Sequence, residues 1–200
     1  PLTSRVGNGY VYSAAYLSAD AAEAELRASL GLAEGEGQAR HLTMRVGQVE
    51  RHWHRNCLAL GLSQGFIEPL EATALHLVQA GIESFIQRYE EGGFTALHQP
   101  RFNAEMAERF ERVRDYIVAH YKLNTRTGVH DSAYWRANRD NTQLSDNLGA
   151  LLQAWFDRDD IAAAVQRTQG GSHFGLLSWH CLLAGYGAFR ISLENVREPD

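Results

Sequence analysis

The stretch that most constrains this chain is residues 56–78, where an apolar run passes through a glycine-containing turn into a long helix pattern. Residues 57–60 are short enough for a buried strand. Gly61 and Gly65 punctuate the turn, and after Pro69 apolar residues recur at helical spacing for about five turns. The stretch therefore predicts a strand, a glycine-containing turn and a helix in that order. A strand-to-helix turn of this kind exposes backbone N–H groups that can hold an anion or the edge of a cofactor.

Composition excludes several classes of protein. With 200 residues, 44% of them hydrophobic, the chain can bury a core without disulfides or metal. A net charge of −5 argues against a nucleic-acid surface, which needs a basic patch. Cys57 and Cys181 each lie in an apolar run, which predicts reduced, buried thiols in a cytoplasmic protein. The sequence shows neither a signal peptide nor a membrane-length apolar segment.

The first 60 residues are predicted to be β-rich with one helix. Residues 9–17 are aromatic and β-branched enough for a strand, and residues 41–50 alternate well enough for another. Between them, Ser18 predicts a helix start and Gly31 its end. The chain opens at Pro1 without Met and enters a strand-like run at once, so we expect a fragment whose sheet has further strands outside it.

The chain after Pro69 is predicted to be mainly helical, which makes the fold class α+β. A first helix is expected to stop at Gly92, and Asn103 is expected to cap the second. This change of pattern divides the chain into residues 1–69 and residues 70–200. The predicted helices cover residues 70–91, 103–123, a short one from 131 or 132, 144–155, 159–166 and part of 174–189.

Two carboxylates, Glu68 and Glu71, flank the predicted helix start. They could be plain capping charges, which the helix dipole favours at this end. Alternatively, one of them could face a closed pocket as a base, with its pKa raised by apolar neighbours. His52 and His54 lack the further ligands of a metal site, so no metal is predicted. His76 is predicted to be a packed core residue.

Tyr134 and Trp135 stand beside a polar loop rather than inside a long helix. They could belong to the core, or they could sandwich a planar ligand. Residues 61–65, GLSQG, formally match the nucleophile elbow of hydrolases. The elbow requires a helix directly after its second glycine, and Pro69 interrupts that geometry, so a hydrolase is disfavoured.

Residues 61–73, GLSQGFIEPLEAT, with 56–60 before them, resemble the signature of flavin-dependent halogenases of the tryptophan halogenase type. Residues 5–13 resemble the segment that follows this family's W-x-W-x-I-P motif, and Pro1 would be its last residue. Residues 120–122 and 134–136 are similar to its C-terminal helical part. The resemblance runs over most of the chain. It implies that residues 1–69 complete a flavin-binding domain and that residues 70–200 form a helical substrate-binding domain.

The resemblance implies an enzyme that uses reduced FAD, oxygen and chloride or bromide to make hypohalous acid, which reaches a lysine beside an aromatic substrate such as tryptophan or indole. It implies a flavin reductase as partner, and exposed helices could pair in a homodimer. The implied roles are Glu71 as the catalytic glutamate, the N–H groups of Thr73 and Ala74 for halide, Gly61, Ser63, Gly65, Phe66 and Pro69 for flavin, and Tyr134 and Trp135 for substrate.

The chain departs from the family pattern in two respects. The glycine-rich dinucleotide motif and the catalytic lysine are absent from these 200 residues. Ala72 and Ala74 stand where the family often has Ser and Gly. Two alternatives stay open: a flavin-dependent monooxygenase relative that never uses halide, and a non-catalytic helical interaction module.

Overall fold

The structure, a computed structural model, describes residues 3–4, 6–33, 36–68, 70–125, 131–168 and 173–189, without the Glu71 side chain. Most of these residues are helical and the strands are short, which confirms the α+β class. The helices are α1 Ala19–Leu30, α2 Thr73–Glu91, α3 Gln99–Lys122, α4 Ala133–Asp140, α5 Asp146–Phe156, α6 Ile161–Arg167 and α7 Leu176–Gly185. The strands are β1 Gly47–Gln48, β2 Trp53–His54, β3 Cys57–Leu58 and β4 Gly65–Phe66.

Local capping signals predicted the helix starts well. The Ser18 side chain accepts the Ala21 N–H at the start of α1, and Gly31 ends it in the left-handed conformation. Ser132, one of the two residues predicted to start α4, caps that helix in the same way. Asp160 caps α6, a helix for which no cap was predicted. The caps at Ser18, Gly31 and Ser132 are confirmed, and each depends only on residues within about one turn of it.

The start of α3 was predicted wrongly. It begins at Gln99, with a proline in its first turn, and not at Asn103. Asn103 lies inside the helix, where its side-chain amide donates to the Trp53 carbonyl at 2.9 Å and accepts the Trp53 N–H at 2.7 Å. A residue that resembles an N-cap in sequence is used here to attach β2 to the helix.

The strand predictions for the first half were largely wrong. Residues 9–17 form no strand, and of residues 41–50 only Gly47 and Gln48 do. β1 pairs antiparallel with β4, and β2 with β3, as two separate two-stranded ladders. The 9–17 segment has aromatic and β-branched residues, yet no described strand pairs with it, and a strand forms only with a partner.

The core is organised along α3. Its inward face carries Phe102, Met106, Phe110, Val113 and Ile117, each at most 4% exposed. The N-terminal part packs with Trp53, and the C-terminal part packs with α5, α6 and α7. This spacing of four, four, three and four residues keeps one side of the helix buried over its whole length.

A further expectation, the burial of the two cysteines, was wrong. Cys57 and Cys181 are free thiols, as predicted, but both are exposed rather than buried. On α2, Leu75, Ile82 and Ile86 are exposed, between 41% and 74%. Among the residues that the structure describes, no helix is both long and apolar enough to cross a membrane.

Candidate functional site

The predicted flavin turn is a short 3₁₀ turn, Gly61–Ser63, that is open to solvent. Gly61 has a φ of +59°, and a side chain added there would meet only Val78, at 3.8 Å. Leu62 beside it is 83% exposed. The Ser63 hydroxyl accepts the Leu60 N–H and donates to the Leu60 carbonyl. Ser63 therefore holds the turn closed, while the Gly61 backbone lies accessible.

Gly65 is required by the strand pairing itself. Its φ is +155°, and it lies opposite Gln48 in the β1–β4 ladder. A Cβ atom at this position would lie 2.4 Å from the Gly47 carbonyl oxygen and 2.8 Å from the Gln48 Cα atom. Phe66 follows in the same strand, half-buried. Pro69 lies outside the described residues.

The N-terminus of α2 carries the predicted halide residues. Ala72 precedes the helix in the left-handed conformation, with φ +57°, and offers no side-chain cap. The first turn of α2 contains no acidic residue. Thr73 is buried, and Ala74 is exposed. Because the first N–H groups of a helix lack intrahelical acceptors and lie at its positive end, this terminus is suited to an anion.

The backbone of Glu71 lies in the 3₁₀ turn Leu70–Ala72, directly before α2. Its side chain lies outside the described part of the chain. Glu71 is therefore within three residues of both predicted halide positions along the chain. Its predicted catalytic role stays a prediction.

Glu68 lies on the other side of Pro69 and points to a different element. Its carboxylate accepts a hydrogen bond from the Tyr121 hydroxyl near the end of α3. The Glu68 carbonyl accepts the Leu70 N–H at 2.8 Å and the Thr73 hydroxyl at 3.5 Å. Burial raises the pKa of the Glu68 carboxyl.

Tyr134 and Trp135 belong to a cluster of aromatic rings around Glu68. The Tyr121 ring lies 5.4 Å from Trp135 and 6.3 Å from Tyr134, measured between centroids. Tyr16 meets Tyr134 edge-on at 5.4 Å. Burial, followed by the charge of Glu68, raises the pKa of Tyr134. We refer to Tyr16, Tyr121, Tyr134 and Trp135 as the aromatic cluster.

The geometry of the aromatic cluster differs from a sandwich. Tyr134 and Trp135 lie 5.2 Å apart with their planes at 71°. At this separation the two rings already pack edge-to-face against each other, so a planar ligand would contact their accessible parts and would not lie between them. Both side chains are half-buried, so part of each ring remains accessible.

Sequence reasoning missed two members of this site. Tyr121 was placed only within the predicted helix 103–123 and the family-like segment 120–122, and Tyr16 was assigned to a strand. The available signal for Tyr121 was its hydroxyl, since a buried tyrosine needs a hydrogen-bond partner. Its acceptor, Glu68, is 53 residues away in the chain, and only the fold brings the two together.

A second group of titratable side chains lies between α2, α3 and the segment before α7. The rings of His76 and His173 are 4.0 Å apart between centroids. His76 is exposed, so its predicted place in the core was wrong. Burial, with the nearby charges of His76 and Arg109, lowers the pKa of His173 to about 4. Burial and Arg109 also lower the pKa of His76.

This pair predicts acid sensitivity. Because the folded chain holds the pKa of His173 at about 4, against 6.5 when unperturbed, its neutral form favours folding above pH 6.5, and this stability is lost as pH falls towards 4. Acidification from pH 7 to pH 4.5 should lower the free energy of unfolding less in His173→Gln than in wild type. We expect the difference to be about 1–2 kcal/mol, after allowance for solvent screening. Urea unfolding at the two pH values measures both free energies. His54→Gln, at an exposed position, is the control, and equal acid losses in wild type and His173→Gln would contradict the assignment.

A surface cleft of about 290 Å³ lies apart from the predicted residues. It is lined by Arg114, Asp115 and Ser145, among others. Asp115 accepts the Ser145 hydroxyl at 2.7 Å and pairs with Arg112 at 3.2 Å. Ser145 in turn caps α5. The carboxylate thus joins α3 to the start of α5, a structural arrangement.

In the described part of the chain, no group of three or more His, Cys, Asp or Glu side chains could hold a metal ion. Of the two histidines considered for a metal, His52 is buried and its Nε2 atom lies 3.0 Å from the Gln48 side-chain oxygen. His54 is exposed on β2.

The chain is similar to known proteins over most of its length. A family model described as tryptophan halogenase matches residues 1–196. A 7-chloro-L-tryptophan 6-halogenase, KtzR of Kutzneria sp. (strain 744), is 33% identical over 190 residues, which cover 95% of this chain and 36% of that protein. Two solved structures are also similar in fold. The thermophilic tryptophan halogenase Th-Hal from Streptomycin violaceusniger matches 88% of this chain and 34% of its own, with 31% identity and a TM-score of 0.73. BrvH, a flavin-dependent halogenase from Brevundimonas sp. BAL3, matches 89% of this chain and 34% of its own, with 32% identity and a TM-score of 0.70.

The chain spans about a third of the length of these relatives. The turn, the start of α2 and the aromatic cluster all lie within the matched residues.

Proposed function

The chain belongs to the tryptophan halogenase family, and on that premise we propose that it is the C-terminal part of an FAD-dependent halogenase acting on tryptophan or a related indole. In this proposal residues 1–69 complete the flavin-binding part and residues 70–200 form the substrate-binding part. The main support for this proposal is the N-terminus of α2. In a chain of this family, that terminus has no side-chain cap and lies within three residues of Glu71.

The turn at Gly61–Ser63 would hold the edge of a flavin. A Cβ atom at Gly61 would meet only the Val78 side chain, at a contact distance of 3.8 Å, so the turn leaves room beside its backbone. Gly65, Phe66 and Pro69 would complete this contact. When bound, reduced FAD would supply the activation of oxygen that converts chloride or bromide into an electrophilic halogen. A flavin reductase would deliver the cofactor.

The residues of this chain would bind the halide, hold the substrate ring in place and accept a proton from it. The N–H groups of Thr73 and Ala74 would hold the halide at the positive end of α2. Glu71 would accept the proton that leaves the aromatic ring as the carbon–halogen bond forms. Tyr134 and Trp135 would contact the substrate ring with the accessible parts of their own rings. The lysine implied by the resemblance would come from outside these residues.

Product mass tests this function. The full-length protein, with reduced FAD, oxygen, tryptophan and bromide, should yield a product that has gained one bromine and lost one hydrogen. The monooxygenase alternative would add one oxygen whether or not bromide is present. A helical interaction module would bind no FAD and convert nothing, and either outcome would refute the proposal.

Trp135→Ala should weaken tryptophan binding by about tenfold, because an aromatic contact and its buried area are lost. Calorimetric titration of the full-length protein with tryptophan measures this effect. Phe94→Ala removes an aromatic ring that is 65% exposed in the turn after α2, and it should leave the affinity unchanged. Equal affinities of wild type and Trp135→Ala would remove Trp135 from the substrate site.

A further inference from the structure

Glu68 has no part in the chemistry proposed above, yet it connects the two halves of the site. Its backbone carbonyl accepts hydrogen bonds from the Leu70 N–H and the Thr73 hydroxyl. Through these bonds it holds the segment that contains Glu71 and the first residue of α2. Its side chain leaves this segment and reaches Tyr121 on α3.

Tyr121 continues the connection towards the aromatic cluster. Its ring packs against both Trp135 and Tyr134, while its hydroxyl donates to Glu68. Both Glu68 and Tyr121 are half-buried. A hydrogen bond to a carboxylate in such surroundings is stronger than one in open water, and its loss leaves a polar group poorly satisfied.

We propose that Glu68 and Tyr121 form a positioning pair that fixes the Glu71 segment and the start of α2 relative to the substrate rings Tyr134 and Trp135. The inference rests on the proposed halogenase function. The pair contributes no atom to the reaction. It sets the distance between the groups that hold the halogen and the ring that receives it, and a displacement of about 1 Å at such a site can cost about a hundredfold in rate.

A second contact of the same carboxylate agrees with this connection. Tyr121 donates its hydroxyl to Glu68, and the charge of Glu68 contributes, after burial, to the raised pKa of Tyr134. Glu68 is thus close to two rings of the aromatic cluster, although Tyr134 lies on a different helix from Tyr121.

Tyr121→Phe in the full-length protein tests the pair, because it removes the hydroxyl and keeps the ring. We expect kcat to fall by about tenfold while the Kd for tryptophan changes by less than about twofold. Glu68→Ala should behave likewise. Glu68→Gln keeps an oxygen that can accept the Tyr121 hydrogen bond, and it should retain at least about a third of the wild-type kcat. The double variant Tyr121→Phe, Glu68→Ala should be no slower than the slower single variant.

Tyr116→Phe is the matched control. It removes a hydroxyl that donates to the Ser178 carbonyl at 3.2 Å elsewhere in the core. It should lower the unfolding midpoint as much as Tyr121→Phe does, without the fall in kcat. Rates are compared at a temperature where circular dichroism shows all variants folded.

Three outcomes would overturn the inference. Wild-type kcat in Tyr121→Phe would show that the bond positions nothing. Additive losses in the double variant would show that the two residues act separately. Loss of activity in Glu68→Gln would make Glu68 a proton-transfer group rather than a positioning residue. Failure of wild type to halogenate tryptophan is a distinct result, which refutes the proposed function and this inference with it.

Discussion

Replacing Glu71 by Gln should lower the halogenation rate of the full-length protein by at least about a hundredfold, since an amide cannot accept the proton that leaves the substrate ring. The change keeps the shape of the side chain and removes only its charge and basicity. FAD affinity should be unchanged, because the predicted flavin contacts, from Gly61 to Pro69, do not include Glu71. Product formation by mass spectrometry and FAD binding by fluorescence quenching measure the two effects.

Glu50→Gln provides the control for the loss of one negative charge. The Glu50 side chain is 88% exposed and its nearest cation, Arg51, is 3.8 Å away. This variant should halogenate at the wild-type rate. If Glu71→Gln retained wild-type turnover, Glu71 would be one of the capping charges that the helix dipole favours.

Replacing Gly65 by Ala should destabilise the chain by about 3 kcal/mol, even without flavin, because the new Cβ would collide with two backbone atoms of β1. The atoms are the Gly47 carbonyl oxygen, at 2.4 Å, and the Gln48 Cα, at 2.8 Å. Backbone cannot move aside as a flexible side chain can. Urea unfolding of the flavin-free protein measures the loss.

Gly61→Ala separates this steric role from a role in flavin binding. At Gly61 the added methyl group meets only Val78, at 3.8 Å. The left-handed backbone costs an alanine about 1 kcal/mol, so Gly61→Ala should lose less stability than Gly65→Ala. Gly61→Ala should lose more FAD affinity than Gly65→Ala. Unchanged stability in Gly65→Ala would instead indicate that Gly65 is required only by the cofactor.

The two parts of the site differ in how far sequence predicted them. The motif of residues 61–73 identified the family, the turn and the start of the long helix, because these residues are contiguous and their spacing carries the pattern. Tyr134 and Trp135 were found as an unusual pair beside a loop. Glu68 was placed only in the turn, since nothing near it in sequence indicates a partner.

The strand errors have a related cause. Residues 9–17 and 41–50 have the composition of strands, but β structure needs a second strand, and composition does not supply one. Gly47 and Gln48 became a strand because Gly65 and Phe66 lie opposite them.

The sequence by itself determined the family, the α+β class, the helix caps at Ser18 and Ser132, and the turn that leads into α2. These features depend on residues within a few positions of each other, where local hydrogen bonds and periodicity decide the outcome. Only the tertiary structure decided that Glu68 meets Tyr121 and that Asn103 binds β2. Such contacts form when α3 packs across the chain, because burying its apolar face brings distant polar groups together and requires them to find partners.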